Sequence, residues 1–115
     1  MKVMIVDDNV RVRKMIKSFI ADLADEFTEC ADGEEALEMY RRSWPDVVLM
    51  DIKMKTIDGL TATRNIKASF PEARVLVVSQ WDSPALRKEA QAAGAEAFVN
   101  KSDLQPLKEL LKKIT

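Results

Sequence analysis

The sequence predicts an α/β fold in which five strands alternate with five helices, and three observations predict it. Short continuous apolar runs recur along the chain, and most of them are rich in β-branched residues. Segments with apolar residues three or four positions apart lie between these runs, as expected of amphipathic helices. Regular alternation of the two patterns indicates a doubly wound parallel sheet, for which the common strand order is 2-1-3-4-5.

The strands are predicted from apolar runs that show no alternation with polar residues. Residues 3–6, 47–50 and 75–78 contain apolar side chains only. Such runs are typical of parallel strands that helices cover on both faces. Two weaker candidates, residues 27–31 and 97–99, complete the predicted set of five strands.

The first three helices are predicted from apolar stripes and from the residues that bound them. The second helix is expected to begin after an N-cap at Asp32 and to end before Pro45. The third is expected to start after Asp58-Gly59 and to stop at Pro71. The stripe of the first helix consists of Val12, Met15, Ile16, Phe19, Ile20 and Leu23.

The last two helices carry clear start signals. Ser83 followed by Pro84 is typical of an N-cap and a first helical residue, and Gly94 is expected to close the fourth helix. Ser102 and Gln105 are predicted to form a capping box at the start of the fifth helix. The apolar residues of that helix are Leu104, Leu107, Leu110, Leu111 and Ile114.

Length and composition indicate one globular domain spanning residues 1–115. The net charge of −1 gives no electrostatic basis for nucleic-acid or anionic-membrane binding. No apolar run is long enough for a membrane span or a signal peptide, so a cytoplasmic location is expected. The chain has no histidine, which excludes histidine catalysis within it, and its single cysteine, Cys30, cannot form an internal disulfide.

Polar side chains follow the predicted strands where each strand ends. Asp7 and Asp8 follow the first strand, and Asp51 follows the third. Ser79 ends the fourth strand, and Lys101 comes shortly after the fifth. Ligands of open parallel sheets bind beyond the carboxyl ends of the strands. Since the predicted order places the first and third strands side by side, the three carboxylates are expected to meet in one crevice.

A cluster of three carboxylates predicts a divalent cation, because the cation removes their mutual repulsion. The ligands are all oxygen atoms, which favours a hard ion, and a few carboxylates with water fit Mg²⁺ better than Ca²⁺. A cation beside a carboxylate favours phosphoryl transfer to that carboxylate, a reaction that depends on charge neutralisation. Asp51 is the predicted nucleophile, since it can have the metal on one side and Lys101 and Ser79 on the other.

The ordered set of these motifs resembles the receiver domain of two-component response regulators over essentially the whole chain. Each motif alone is weak, but the set is specific because each member stands at a strand end. The resemblance implies a flavodoxin-like (βα)5 fold and a phosphoacceptor switch, which catalyses only its own phosphorylation and dephosphorylation. The motifs are Val6-Asp7-Asp8, Leu49-Met50-Asp51-Ile52-Lys53-Met54 with Asp58-Gly59, Ser79, and Lys101 three residues after Phe98.

The resemblance implies a role for each acidic residue. Asp51 would be the phosphoacceptor and also a metal ligand. Asp8 would bind Mg²⁺ directly, and Asp7 would hold it mainly through water. The backbone carbonyl of Lys53 would complete the protein's share of the metal shell.

The resemblance also implies how the signal forms and decays. Ser79 and Lys101 would contact the phosphoryl oxygens. Phe98 would turn inward as Ser79 moves toward the phosphoryl group, which would change the face formed by helix four, strand five and helix five. Lys53 and Trp81 would flank the path of the hydrolytic water, and we expect the bulky Trp81 side chain to slow loss of the phosphoryl group.

The partners implied by the resemblance are proteins. A histidine kinase or a histidine phosphotransfer protein would supply the phosphoryl group. An output protein, or an attached DNA-binding domain absent from this chain, would receive the signal, and phosphorylation could promote a homodimer. The basic residues of the first helix fit either a solvated face or a kinase docking surface.

Two other functions remain open from the sequence. The first is a receiver-fold interaction module that works independently of phosphorylation, although the intact set of polar residues argues against it. The second is a Mg²⁺-dependent phosphohydrolase, but such enzymes usually carry an acidic residue where Lys53 stands. Taken singly, an Asp-Asp pair is more often a solvated helix cap, and Phe98 is more often a core residue.

Overall fold

The computed structural model describes residues 1–114, in which five parallel strands form one sheet. The strand order is β2-β1-β3-β4-β5, which confirms the predicted fold class and topology. Strand β2 begins one residue earlier than predicted. The strands are Lys2–Val6 (β1), Glu26–Cys30 (β2), Val47–Met50 (β3), Val75–Ser79 (β4) and Ala97–Asn100 (β5).

Five helices alternate with the strands and cover both faces of the sheet. Successive strand residues point to opposite faces, so Val3 and Ile5 pack with the first and fifth helices while Met4 and Val6 pack with the second and third. Burial on both faces explains why residues 3–6 of β1, all of β3 and residues 75–78 of β4 are apolar throughout. The helices are Val10–Phe19 (α1), Ala36–Ser43 (α2), Gly59–Ser69 (α3), Pro84–Ala93 (α4) and Gln105–Ile114 (α5).

Three predicted helix boundaries are confirmed by their caps. The Asp58 side chain accepts hydrogen bonds from two backbone N–H groups at the start of α3. The hydroxyl of Ser83 accepts from the N–H of Leu86, with Pro84 as the first residue of α4. Gly94 ends α4 with φ of 110°, a left-handed conformation that glycine adopts without steric cost.

The predicted end of α1 and the predicted start of α2 were wrong, whereas α2 ends before Pro45 as predicted. Helix α1 stops at Phe19, and the apolar stripe continues through a turn in which the Leu23 N–H donates to the Ile20 carbonyl at 2.9 Å. Asp32 is not the N-cap of α2, which begins later, at Ala36. The Asp32 carboxylate instead accepts from a backbone N–H two residues on, and this local turn competes with helix initiation.

The predicted capping box of α5 was also wrong. The Ser102 hydroxyl donates to the Asn100 side-chain oxygen at 2.7 Å, which directs it away from the helix. The N–H of Gln105 donates to the Asp103 carboxylate at 3.2 Å, so the acidic side chain replaces the predicted serine. None of the helices within residues 1–114 is long and apolar enough to cross a membrane.

Candidate functional site

The carboxyl ends of β1 and β3 bring three aspartates together. Asp7, Asp8 and Asp51 each offer a carboxylate oxygen, and these oxygens lie within 4.8 Å of one another. The backbone N–H of Asp51 donates to the Val6 carbonyl at 2.9 Å, which places the two strand ends at the same level. Opposite ligands of an octahedral Mg²⁺ are about 4.2 Å apart, so the cluster has nearly the required size. Its all-oxygen chemistry fits the same ion.

Lys101 bridges the two buried members of this cluster. Its Nζ lies 2.8 Å from Asp7 Oδ2 and 3.1 Å from Asp51 Oδ1. Asp7 and Asp51 are only 2% and 5% exposed, whereas Asp8 is exposed. The Lys101 N–H donates to the Ser79 carbonyl at 2.9 Å, so the sheet fixes the start of this side chain. One ammonium therefore partly compensates two buried negative charges.

Backbone contacts orient the two buried carboxylates. Asp51 Oδ1 accepts from the Ile52 N–H at 2.9 Å, and Asp7 Oδ1 accepts from the Asn9 N–H at 2.9 Å. The guanidinium of Arg13 donates to the Asp7 carbonyl at 2.6 Å. Asn9 caps α1 and stands before an amphipathic run, a signal that was readable in the sequence. The role of Arg13 could not be predicted from the sequence, because the apolar stripe of α1 does not show which of its basic residues faces the site.

A cavity of about 120 Å³ opens beside the cluster. Lys53 and Trp81 stand on its wall, with Lys53 Nζ 5.7 Å from the centre of the Trp81 ring. This volume exceeds the roughly 10–15 Å³ that one water molecule needs, so the cavity admits water. Its lining consists of Asp7, Asp8, Asn9, Val12, Asp51, Lys53, Gln80, Trp81 and Lys101.

The two remaining predicted site residues, Ser79 and Phe98, do not line the cavity. Ser79 is fully buried at the end of β4, and its hydroxyl accepts from the Trp81 N–H at 2.9 Å. Phe98 lies on β5 toward α4, where the Arg87 guanidinium sits 4.8 Å from its ring centre. The three aspartates, Lys101, Lys53 and Trp81 thus line one cavity. Ser79 and Phe98 are not part of its lining.

Burial and charge shift the pKa values of the central pair. Burial raises the pKa of Asp51, the negative charge of Asp7 raises it further, and Lys101 and the Ile52 N–H only partly offset this. For Lys101, burial lowers the pKa, but hydrogen bonds and attraction to Asp7 and Asp51 outweigh burial, so the net shift is upward. The ionised form of Asp51 is therefore disfavoured in the folded protein.

We expect Asp51→Asn to increase stability in Mg²⁺-free buffer. Asparagine keeps an acceptor for Lys101 and Ile52 but removes one buried negative charge, so the free energy of unfolding at pH 7 should rise by about 1 kcal/mol. Because the folded state raises the Asp51 pKa, wild type loses stability relative to the variant as pH rises through that pKa, and the difference closes in acid. Urea unfolding measures both effects.

An exposed carboxylate provides the control for this prediction. Glu72→Gln removes one negative charge from the exposed segment between α3 and β4. It should leave stability within about 0.5 kcal/mol of wild type. Loss of stability in Asp51→Asn without Mg²⁺ would show that the cluster is not electrostatically strained.

Residues 3–114 match the family model of the response regulator receiver domain. The chain belongs to this family. Its parallel sheet of order β2-β1-β3-β4-β5 is accordingly that of a receiver domain.

Similar proteins include one of nearly the same length and one about twice as long. The chain is 38% identical to the chemotaxis protein CheY of Thermotoga maritima over 101 residues, which cover 87% of this receiver domain and 84% of that protein. It is 39% identical to the response regulator GacA of Pseudomonas aeruginosa over 102 residues, covering 87% of this chain but only 48% of GacA. The receiver domain thus spans about half the length of GacA.

Among solved structures, the response regulator TrrA of Thermotoga maritima has the same fold. The TM-score is 0.88 at 28% identity, and the match covers 99% of this chain and 98% of TrrA. TrrA was crystallised in complex with Mg²⁺ and beryllium fluoride.

Proposed function

We propose that this receiver domain is a phosphoacceptor switch of a two-component pathway, and that Asp51 accepts the phosphoryl group in a Mg²⁺-dependent reaction. The observation that carries the proposal is the placement of Asp51. Its buried carboxylate faces two further aspartates, is held by Lys101 at 3.1 Å and opens on a cavity of about 120 Å³. A carboxylate so placed is oriented by the protein and accessible to a small phosphodonor.

The metal ligands proposed are Asp8, Asp51 and the Lys53 carbonyl, with Asp7 acting mainly through water. The three carboxylates offer the oxygen ligands that Mg²⁺ prefers, and these oxygens lie within 4.8 Å of one another. Bound Mg²⁺ would neutralise charge on the acceptor carboxylate and on the phosphoryl oxygens. Two contacts orient Asp7 at the cavity. Arg13 donates to the Asp7 carbonyl, and the Asn9 N–H donates to the Asp7 carboxylate.

The remaining residues act on charge and on conformation. Lys101 already lies against Asp51, so its ammonium is placed to bind phosphoryl oxygens as they approach. The Ser79 hydroxyl would leave the Trp81 N–H and donate to the phosphoryl group. This movement would free space toward which Phe98 turns, and the face of α4, β5 and α5 would change. A histidine kinase or a histidine phosphotransfer protein would supply the phosphoryl group, since residues 1–115 contain no histidine of their own.

The output is proposed to be a protein contact. A separate output protein, or an attached DNA-binding domain, would bind the face of α4, β5 and α5 after phosphorylation, and a homodimer is a further candidate. The similarity to both CheY and GacA is compatible with either arrangement.

Treatment with a small phosphodonor and Mg²⁺, followed by intact mass measurement, tests the proposal. Wild type should gain one phosphoryl group, while Asp51→Asn should gain none. Labelling that requires no Mg²⁺ would contradict the metal assignment. Labelling of the Asn variant would place the acceptor elsewhere.

Trp81→Ala is expected to shorten the life of the phosphorylated state. The Trp81 side chain is 51% exposed on the cavity wall and stacks with Lys53, so its removal opens a path for water to the phosphoryl group. We expect dephosphorylation to become at least about threefold faster, a barrier change of roughly 0.7 kcal/mol. Trp44→Ala is the matched control, because Trp44 is 57% exposed but follows α2, away from the cavity. An unchanged or slower rate in Trp81→Ala would contradict shielding.

A further inference from the structure

A side-chain network links the β4–α4 loop to α4 and β5. Arg87 donates from Nε and Nη2 to the two carboxylate oxygens of Asp82, at 2.7 and 2.8 Å. Arg87 lies on α4, whereas Asp82 lies in the loop that follows Ser79 and Trp81. This parallel two-bond contact fixes the direction of the guanidinium as well as its position.

The same guanidinium covers the aromatic ring of β5. The Arg87 Cζ is 4.8 Å from the centre of the Phe98 ring, within the range of a cation–π contact. The Asn100 amide donates to Asp82 Oδ2 at 3.3 Å, so the end of β5 also contacts the loop. Lys101, which binds Asp51, is the next residue along the chain. The network therefore adjoins both the loop that holds Ser79 and the residue that contacts the acceptor.

The geometry of this network distinguishes it from an ordinary surface ion pair. Single exposed pairs contribute little because they hold two flexible side chains together. The pair lies at the surface, with the Arg87 side chain 51% and the Asp82 side chain 23% exposed, but two parallel hydrogen bonds join it, and they hold the Asp82 pKa below its usual value. The guanidinium also contacts Phe98, so one side chain restrains two separate segments.

We propose that Arg87 is a positioning residue that stabilises the present arrangement of Phe98 and the β4–α4 loop, and thereby limits how readily phosphorylation switches the domain. The inference rests on the proposed function, because it assumes that Ser79 and Phe98 move. In the present arrangement the Ser79 hydroxyl is bonded to the Trp81 N–H and the Phe98 ring lies beneath Arg87. Both contacts must change if Ser79 is to reach the phosphoryl group and Phe98 is to turn inward.

A contact present in only one of two conformations shifts the equilibrium toward that conformation. Loss of the Arg87 contacts should therefore favour the switched conformation. By linkage, it should also tighten binding of any phosphoryl analogue that prefers the switched conformation. The prediction has a definite sign, since a residue that only supported folding would not increase affinity when removed.

Beryllium fluoride with Mg²⁺ is the probe, and calorimetric titration measures its affinity. Arg87→Ala should bind beryllium fluoride about threefold to tenfold more tightly than wild type, the range expected for loss of one exposed cation–π contact and one exposed ion pair. Arg87→Lys should retain only part of the wild-type restraint, because lysine lacks the planar fork. Lys88→Ala is the matched control, since it removes the same charge from the neighbouring exposed position of α4 and should leave affinity unchanged.

A double-mutant cycle identifies the path of the effect. If Arg87 acts through Phe98, Arg87→Ala should change affinity much less in a Phe98→Leu background than in wild type. Urea unfolding of each variant checks the fold. Asp82→Asn should shift affinity in the same direction as Arg87→Ala, because it releases the guanidinium from the loop.

Two results would overturn the inference. One is unchanged or weaker beryllium fluoride binding by Arg87→Ala, and the other is an equal effect of Arg87→Ala in both backgrounds. Failure of the proposed function has a different signature. In that case wild type would not bind beryllium fluoride with Mg²⁺, or Asp51→Asn would bind it as well as wild type.

Discussion

Gly59→Ala is expected to lower the free energy of unfolding by about 2–3 kcal/mol, the cost typical of overpacking a rigid site. A Cβ at Gly59 would lie 1.7 Å from the Asp51 carbonyl oxygen and 2.7 Å from its carbonyl carbon. Both atoms belong to the backbone, so no side-chain rotation relieves the contact. The start of α3 and the backbone of the proposed phosphoacceptor must therefore move apart.

Helix propensity alone predicts the opposite sign. Replacing glycine by alanine within a helix usually stabilises it by up to about 1 kcal/mol. Urea unfolding separates the two effects, and Asn65→Ala, at an exposed position of the same helix, measures the propensity gain by itself. We also expect slower phosphorylation of Gly59→Ala, since Asp51 is displaced. A Gly59→Ala variant as stable as wild type would show that α3 does not closely abut Asp51.

Lys101→Met should destabilise the metal-free protein by about 3 kcal/mol, since it leaves buried carboxylates without their cation. Lys101 is 13% exposed and contacts both Asp7 and Asp51, so solvent cannot fully replace it. The loss should be smallest in acid, where the raised pKa of Asp51 allows its protonation. Urea unfolding at several pH values, in the presence of a chelator, measures it.

Mg²⁺ should restore much of the stability of Lys101→Met. The lysine and the metal compete for the same carboxylates, so we expect the variant to bind Mg²⁺ more tightly than wild type. Lys55→Met is the control, because it removes one positive charge from the exposed loop after Asp51. An effect of Lys101→Met no larger than that of Lys55→Met would contradict the pairing of Lys101 with the cluster.

The centre of the sheet was predictable because β1, β3 and β4 are buried on both faces. Burial is complete in residues 3–6, 47–50 and 75–78. A strand buried on both faces has few polar residues, so these apolar runs predicted it directly. Helix ends were less predictable, since several side chains compete for the same N–H groups. Asp103 rather than Ser102 accepts from the start of α5, and composition alone does not rank two such neighbours.

The acidic part of the site was predictable from topology. Adjacent parallel strands end at the same edge, so placing Asp7 and Asp51 after neighbouring strands predicted that they meet. The supporting contacts were not predictable, because they depend on helix phase and on side-chain rotamers. Two examples are the hydrogen bond from Arg13 to the Asp7 carbonyl and the contact of Arg87 with the Phe98 ring. No strand-end rule points to either arginine.

The proposed switch requires that aspartates from β1 and β3 share one divalent cation. Its most direct test is the free energy of unfolding measured as Mg²⁺ concentration increases, in wild type and in Asp8→Asn. Wild type should gain about 1.4 kcal/mol for each tenfold increase above the dissociation constant, while Asp8→Asn should begin to respond only at much higher concentrations. Wild-type stability that does not change with Mg²⁺ would contradict this requirement.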